Sequence, residues 1–231
     1  TISLADLGYT TAVRRTHHAH RLTVAASNHA NLVQALAAVE TETAAPAYQT
    51  PKIAFIFPGQ GAQWLGMGRE LLQTEPAFRD TITRCETAMQ PFVDWSLRAQ
   101  LEAEPGDPHY CLDQIDVIQP TLLAIEIALA ELWQARGVRP DALIGHSMGE
   151  VGAAYVAGAL SLTDAMRVIC RRSQLMHTTS GQGAMALVEL TMTDAKDALR
   201  GYEDKLSIAV SNSPRSTVIA GDPAALDELL E

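Results

Sequence analysis

The chain is 231 residues long, carries a formal net charge of −10, and is 47% hydrophobic with only 5% aromatic residues. That length can bury a proper core as one large domain or as a large one with a small companion. The acidic balance without a basic stripe excludes a nucleic-acid binder, and no run resembles a membrane span or a charged-then-apolar leader.

In chain order, Leu4 to Arg15 has the spacing of a short helix, and His17, His18 and His20 follow it. Their i, i+1, i+3 spacing does not converge on one strand face, and no carboxylate or cysteine lies close by. Surface or interface histidines leading into a strand from Leu22 to Ala26 are the better reading than a metal site. Ser27 or Asn28 caps a helix running through Val39. Thr41 to Pro51 bears prolines and almost no large apolar side chains, which marks a linker and a boundary after residues 1–50.

Lys52 to Phe57 reads as a buried strand that breaks into Pro58-Gly59-Gln60-Gly61-Ala62-Gln63-Trp64. Glycines there let backbone approach a ligand closely, and the absence of a following Gly-Lys-Ser/Thr excludes a phosphate loop. Two readings stay open: the loop supplies an oxyanion-hole N–H, with Gln60 in that place, or it is a plain strand-to-helix turn. Glu70 to Met89 is helical in pattern and Pro91 to Asp116 is loop-rich. A largely buried helix then spans Thr121 to Arg136, entered at Pro120 and closed by Gly137.

The most informative stretch is Leu143-Ile144-Gly145-His146-Ser147-Met148-Gly149-Glu150, with an apolar run before it and the helix-like segment Val151 to Ala159 after it. Gly-x-Ser-x-Gly between strand and helix puts a serine on a sharp turn with its hydroxyl exposed. Side chains at Gly145 or Gly149 would crowd such a turn. Ser161 to Asp164 opens a further helix to about Met176, in which Ala165, Ile169, Arg172 and Met176 share a face. A guanidinium on that apolar stripe needs either a protein carboxylate, the blander reading, or a ligand carboxylate.

From Ala184 the pattern becomes β-α-β-β-α: strands over Ala184 to Leu190, Leu206 to Ser211 and Thr217 to Ala220, helices over Thr193 to Gly201 and from Asp222 or Pro223 onward. This is a ferredoxin-like unit without its closing strand, so the chain is expected to be a fragment. Cys85, Cys111 and Cys170 are widely spaced and free of CxxC, as in small buried hydrophobes of a reducing, cytoplasmic protein.

Phe57-Pro58-Gly59-Gln60-Gly61-Ala62-Gln63-Trp64, Val117-Ile118-Gln119-Pro120, Gly145-His146-Ser147-Met148-Gly149-Glu150 and Arg171-Arg172-Ser173-Gln174-Leu175-Met176 occur in the order of malonyl-CoA:acyl-carrier-protein transacylases, which the chain resembles. Val13 to Leu22 looks like the linker between ketosynthase and acyltransferase in type I polyketide synthases. The resemblance implies an α/β fold: linker over 1–50, an α/β-hydrolase-like core with a largely parallel sheet over 51–183, and a ferredoxin-like subdomain, incomplete at its C-terminus, over 184–231.

It also implies roles. Ser147 would take a malonyl-type unit from coenzyme A and pass it to the phosphopantetheine of an acyl carrier protein, with no cofactor bound. Backbone N–H groups of Gln60 and Met148 would form the oxyanion hole. Arg172 would clamp the free carboxylate, Gln119 would line the same pocket, and His146 and Asn212 would border the substrate. The family's general-base histidine is expected beyond Glu231, since His146 adjoins the serine across a tight turn and His177 would serve only if it pointed into the cleft. Asp116-Val117-Ile118-Gln119 resembles the variant of methylmalonyl-selective domains, leaving malonyl or methylmalonyl with a lean to the latter. Partners would be the carrier protein, the ketosynthase and other domains of the same synthase. Competing readings are a serine hydrolase or thioesterase, which has no use for Arg172, a docking segment, which does not explain the elbow, and a loading acyltransferase for monocarboxylic acids, which lacks the arginine.

Overall fold

The computed structural model describes residues 2–39, 45–46, 51–61, 63–104, 106–107 and 110–231, with backbone alone at 45–46. The chain divides into two units, Thr1–Ile53 and Ala54–Glu231. In the first, helix α1 (Leu4–Val13) is capped by the Ser3 hydroxyl and α2 (His29–Ala37) by Asn28. Strand β1 (His20–Arg21) pairs antiparallel with β2 (Ala45–Pro46). The strand expected over Leu22 to Ala26 does not form: the ladder runs only from His20↔Pro46 to Arg21↔Ala45, and among the described residues none pairs with Leu22 to Ala26. Most of the expected linker Thr41 to Pro51 lies outside the described residues.

The second unit is built on a parallel pair, β3 (Ala54–Phe57) and β4 (Ala142–Gly145), in register from Ala54↔Ala142 to Phe57↔Gly145. The crossover between them carries α3 (Arg69–Thr74), α4 (Pro76–Met89), α5 (Leu97–Glu102) and α6 (Ile115–Ala135). The single helix expected over Glu70 to Met89 is two. Pro76 lacks the N–H that would continue it and forces Glu75 extended, at φ −115° and ψ 101°, so α3 ends and Pro76 opens α4. Helix α5, capped by Ser96, stands inside a stretch that read as loop. Helix α6 starts six residues earlier than expected, at Ile115 instead of Thr121, with Pro120 inside it. Ile118, Leu122, Leu123 and Ile125 are all buried, and that burial outweighs the helical hydrogen bond which the proline denies to the Asp116 carbonyl.

Helices α7 (Gly149–Val156) and α8 (Leu162–Thr178) complete the core. Phe78, Ile82, Leu123, Ile127, Met166 and Ile169 are its buried centre, each worth about 1.5–3 kcal/mol on burial. Polar ties cross it as well: the Glu131 carboxylate on α6 accepts from Thr81 Oγ1 of α4 at 2.5 Å and Tyr155 Oη of α7 at 2.6 Å, and also meets Arg84.

The remaining elements are β5 (Ala184–Val188), α9 (Met192–Ala198), β6 (Leu206–Ser213), β7 (Ser216–Gly221) and α10 (Pro223–Leu230). Their strands form an antiparallel sheet in the order β5-β7-β6, the ferredoxin-like arrangement, over a small core of Leu199, Leu206, Ile219, Ala225 and Leu226. Among the described residues no helix is long and apolar enough to cross a membrane.

Candidate active site

Ser147 stands between β4 and α7 at φ 54°, the one non-glycine residue of the described chain in the left-handed region. Such a conformation costs about 1–3 kcal/mol and persists only where its surroundings enforce it. They do so here through the two glycines. A Cβ on Gly145 would lie 2.3 Å from Glu150 Cα, and one on Gly149 would lie 2.1 Å from the Phe57 carbonyl oxygen. The His146 N–H donates to that same carbonyl at 2.9 Å, and the Met148 side chain is buried beneath the turn. The result is an exposed serine on a rigid bend.

The loop after β3 packs against this bend. A Cβ on Gly59 would be 3.2 Å from His146 Nδ1 and 3.5 Å from Ser147 Cβ, so the glycine is needed for contact with the elbow itself. Gln60 follows directly. Among the hydrogen bonds of the described residues, none engages the backbone N–H of Gln60 or Met148, which leaves both donors available.

From Gln60 a chain of side-chain contacts leads to Arg172. Gln119 Nε2 donates to Gln60 Oε1 at 3.2 Å and lies 3.9 Å from Met176 Sδ, while Gln119 Oε1 accepts from Arg172 Nη1 at 2.6 Å. Gln119 is buried and Arg172 half-buried. Among the described residues no carboxylate lies within ion-pair distance of Arg172. The protein-carboxylate reading of this arginine is therefore not what the fold provides: a neutral amide takes one of five donors and leaves the charge uncompensated.

The two histidines near the serine are engaged elsewhere. His146 Nε2 lies 3.1 Å from Asn212 Oδ1, an acceptor, so the ring nitrogen donates. His177 Nδ1 is 3.2 Å from Asp116 Oδ1, turned to the start of α6 rather than to Ser147. No described residue hydrogen-bonds the serine hydroxyl. His17 Nε2 contacts the Ala12 carbonyl at 2.8 Å, and no cluster among the described residues could hold a metal ion.

Two side chains are not legible in the sequence, those of Gln60 and Glu126. The Gln60 side chain joins Gln119 beside Arg172, whereas the sequence pointed only to its backbone. Gln119, expected beside Arg172 from the family resemblance, owes its place to helix continuity through Pro120, for which the apolar spacing of Ile115, Ile118 and Leu122 is a usable signal. Glu126, two turns further along α6, has its Oε2 enclosed without a partner beneath Gly152, and desolvation pushes its carboxyl up to about 8. Burial likewise pushes the Cys85 and Cys170 thiols up to about 12, leaving them unreactive at neutral pH.

An exposed elbow serine with a ferredoxin-like lobe adjoining an α/β core is the framework of an acyltransferase domain, and comparison with known proteins gives that class. Residues 54–231 match the family model described as "Acyl transferase domain", and residues 1–36 match "CurL-like, PKS C-terminal". Polyketide synthase GfsB of Streptomyces halstedii is 45% identical over 234 residues, covering 99% of this chain but only 4% of that protein. The acyl transferase domain of SpnD, solved in complex with 2-(pent-4-yn-1-yl)malonyl, is 35% identical at a TM-score of 0.79, covering 99% of this chain and 53% of that one. A Synechocystis malonyl-CoA:ACP transacylase is 32% identical at a TM-score of 0.66, covering 78% of this chain and 58% of that one. The chain belongs to the acyl transferase domains of type I polyketide synthases.

Proposed function

We propose that the chain loads a malonyl-type extender unit from coenzyme A onto the phosphopantetheine thiol of an acyl carrier protein, through an ester on Ser147. The observation that carries this reading is the Gln60–Gln119–Arg172 chain: a half-buried guanidinium with no carboxylate partner among the described residues, joined through two amides to the loop that touches the serine. Arginine's planar fork suits the free carboxylate of a malonyl or methylmalonyl group, and a monocarboxylic acyl group would leave it unpaired. Gln119 shares that pocket. Asp116-Val117-Ile118-Gln119 therefore borders the acyl unit, and its resemblance to methylmalonyl-selective domains favours the branched extender.

The chemistry runs in two balanced halves. Ser147 Oγ attacks the thioester carbon and loses its proton to a base. The oxyanion is held by the Gln60 and Met148 N–H groups, and the coenzyme A thiol departs carrying a proton. The carrier's thiol then attacks the ester, restoring the serine hydroxyl. The base is assigned to a residue outside those described, because His146 and His177 are both turned away from the hydroxyl. No cofactor takes part. In the same reading, residues 1–50 are the ketosynthase-to-acyltransferase linker, 51–183 the core and 184–231 the small subdomain. His146 and Asn212 border the cleft, and the enzyme works in the cytoplasm beside the ketosynthase and carrier protein of its synthase.

Arg172→Ala tests it. Malonyl and methylmalonyl transfer should fall at least a hundredfold, from loss of a charge-assisted pair worth about 3 kcal/mol or more, while acetyl transfer is kept or rises. Equal losses for all three acyl groups would make the arginine a structural residue.

A further inference from the structure

The small lobe reaches the elbow through one side chain whose backbone is displaced to put it there. In β6 the register with β7 runs Ser211↔Thr217 and then Ser213↔Ser216, so Asn212 is the extra residue of a β-bulge, without a cross-strand partner. Bulges re-aim side chains, and this one sends the Asn212 Oδ1 to within 3.1 Å of His146 Nε2. The other edge of the same ring rests on the loop after β3, with Nδ1 3.2 Å from the position of a Gly59 Cβ. The backbone N–H of His146 is fixed to the Phe57 carbonyl at 2.9 Å. The imidazole thus lies between Asn212 of the lobe on one side and Gly59 on the other, immediately before the nucleophile.

We propose that Asn212 and His146 are a positioning pair: the bulge amide orients the imidazole, and the imidazole sets the Gly59–Gln60 peptide whose N–H faces the oxyanion. Neither residue then needs to touch the acyl group. The contact uses one ring nitrogen of His146 and the amide oxygen of Asn212, an arrangement suited to holding the ring in one orientation beside the loop. The lobe's seating on the core and the geometry of the oxyanion hole become one variable. The oxyanion role and the kinetic arm rest on the acyltransferase reading, while the pairing and its effect on the loop do not.

The test compares Asn212→Ala and Asn212→Asp, which keeps an acceptor at the same reach, in the intact protein. Hydrogen exchange of peptides covering Phe57 to Gly61 should quicken in Asn212→Ala and return to the parent rate in Asn212→Asp. Single-turnover acylation should slow about tenfold in Asn212→Ala with KM unchanged, in equal proportion for malonyl-CoA and methylmalonyl-CoA, and recover in Asn212→Asp. Unaltered exchange at Phe57 to Gly61 would overturn the proposal whatever the activity. So would a change in KM alone or in one acyl group alone, which would make Asn212 a substrate ligand. A thermal midpoint lowered equally in both variants would make it a mere packing residue. If the parent protein forms no acyl-enzyme, the acyltransferase reading fails, and the exchange arm still decides the pairing.

Discussion

Glu126 shows how a single side chain can set a pH dependence for the whole molecule. Its carboxyl titrates at about 8 in the fold against an ordinary 4.5, because desolvation penalises the charged form. The folded state therefore holds a proton that the unfolded state has released, and stability falls as pH rises from about 4.5 to about 8. Glu126→Gln should remove that slope, giving a thermal midpoint that is flatter across this range and higher at pH 8. A parent protein equally stable at pH 5 and pH 8 would mean that the carboxyl finds solvent or a partner. At the same scale, residue spacing placed the elbow serine on its turn and Arg172 on the apolar face of α8. It could not find the side chains that meet them. Asn212 and His146 are 66 residues apart in sequence, and only the bulge in β6 brings them together.

Among elements, the turn between β4 and α7 is the most tightly constrained. Gly149→Ala would drive a methyl group into backbone, 2.1 Å from the Phe57 carbonyl oxygen, where nothing flexible can yield. The expected cost is about 3 kcal/mol or more, a thermal midpoint lowered by roughly 6–12 °C. Gly8→Ala, within α1 with nothing inside 4 Å of its Cβ, should leave the midpoint unchanged or slightly raised. A Gly149→Ala midpoint within a degree of the parent's would show that the turn relaxes freely. Helix starts were readable at the caps Asn28, Ser161 and Asp222, though not at Ser96, whose short helix α5 lies in a loop-rich stretch. They were misread where proline acted in two ways. Pro76 split a helix that periodicity ran together, and Pro120 sat inside one that it should have begun. Tertiary burial decided the second case, and no local rule contains it.

For the whole molecule, alternation of apolar runs and helical periods was enough to mark the βαββα lobe, the parallel sheet of the core came from the family resemblance, and the fold bears both out. The proposed function rests on the meeting of those two parts: the core carries Ser147, the candidate oxyanion donors and Arg172, and the lobe carries Asn212. The apolar stripe of α8 is buried at Ala165 and Ile169 and emerges at Arg172, so the core's own packing delivers the guanidinium to the pocket. A serine hydrolase would have no reason to keep a charge there.

The central claim is a malonyl-type ester on Ser147, and intact mass after brief exposure to malonyl-CoA, methylmalonyl-CoA and acetyl-CoA tests it most directly. The intact synthase should gain the mass of the dicarboxylic acyl group, mapped to the peptide holding Ser147, gain little from acetyl-CoA, and gain nothing at that peptide in Ser147→Ala. An adduct that persists at full level in Ser147→Ala, or none with any of the three thioesters, would contradict it.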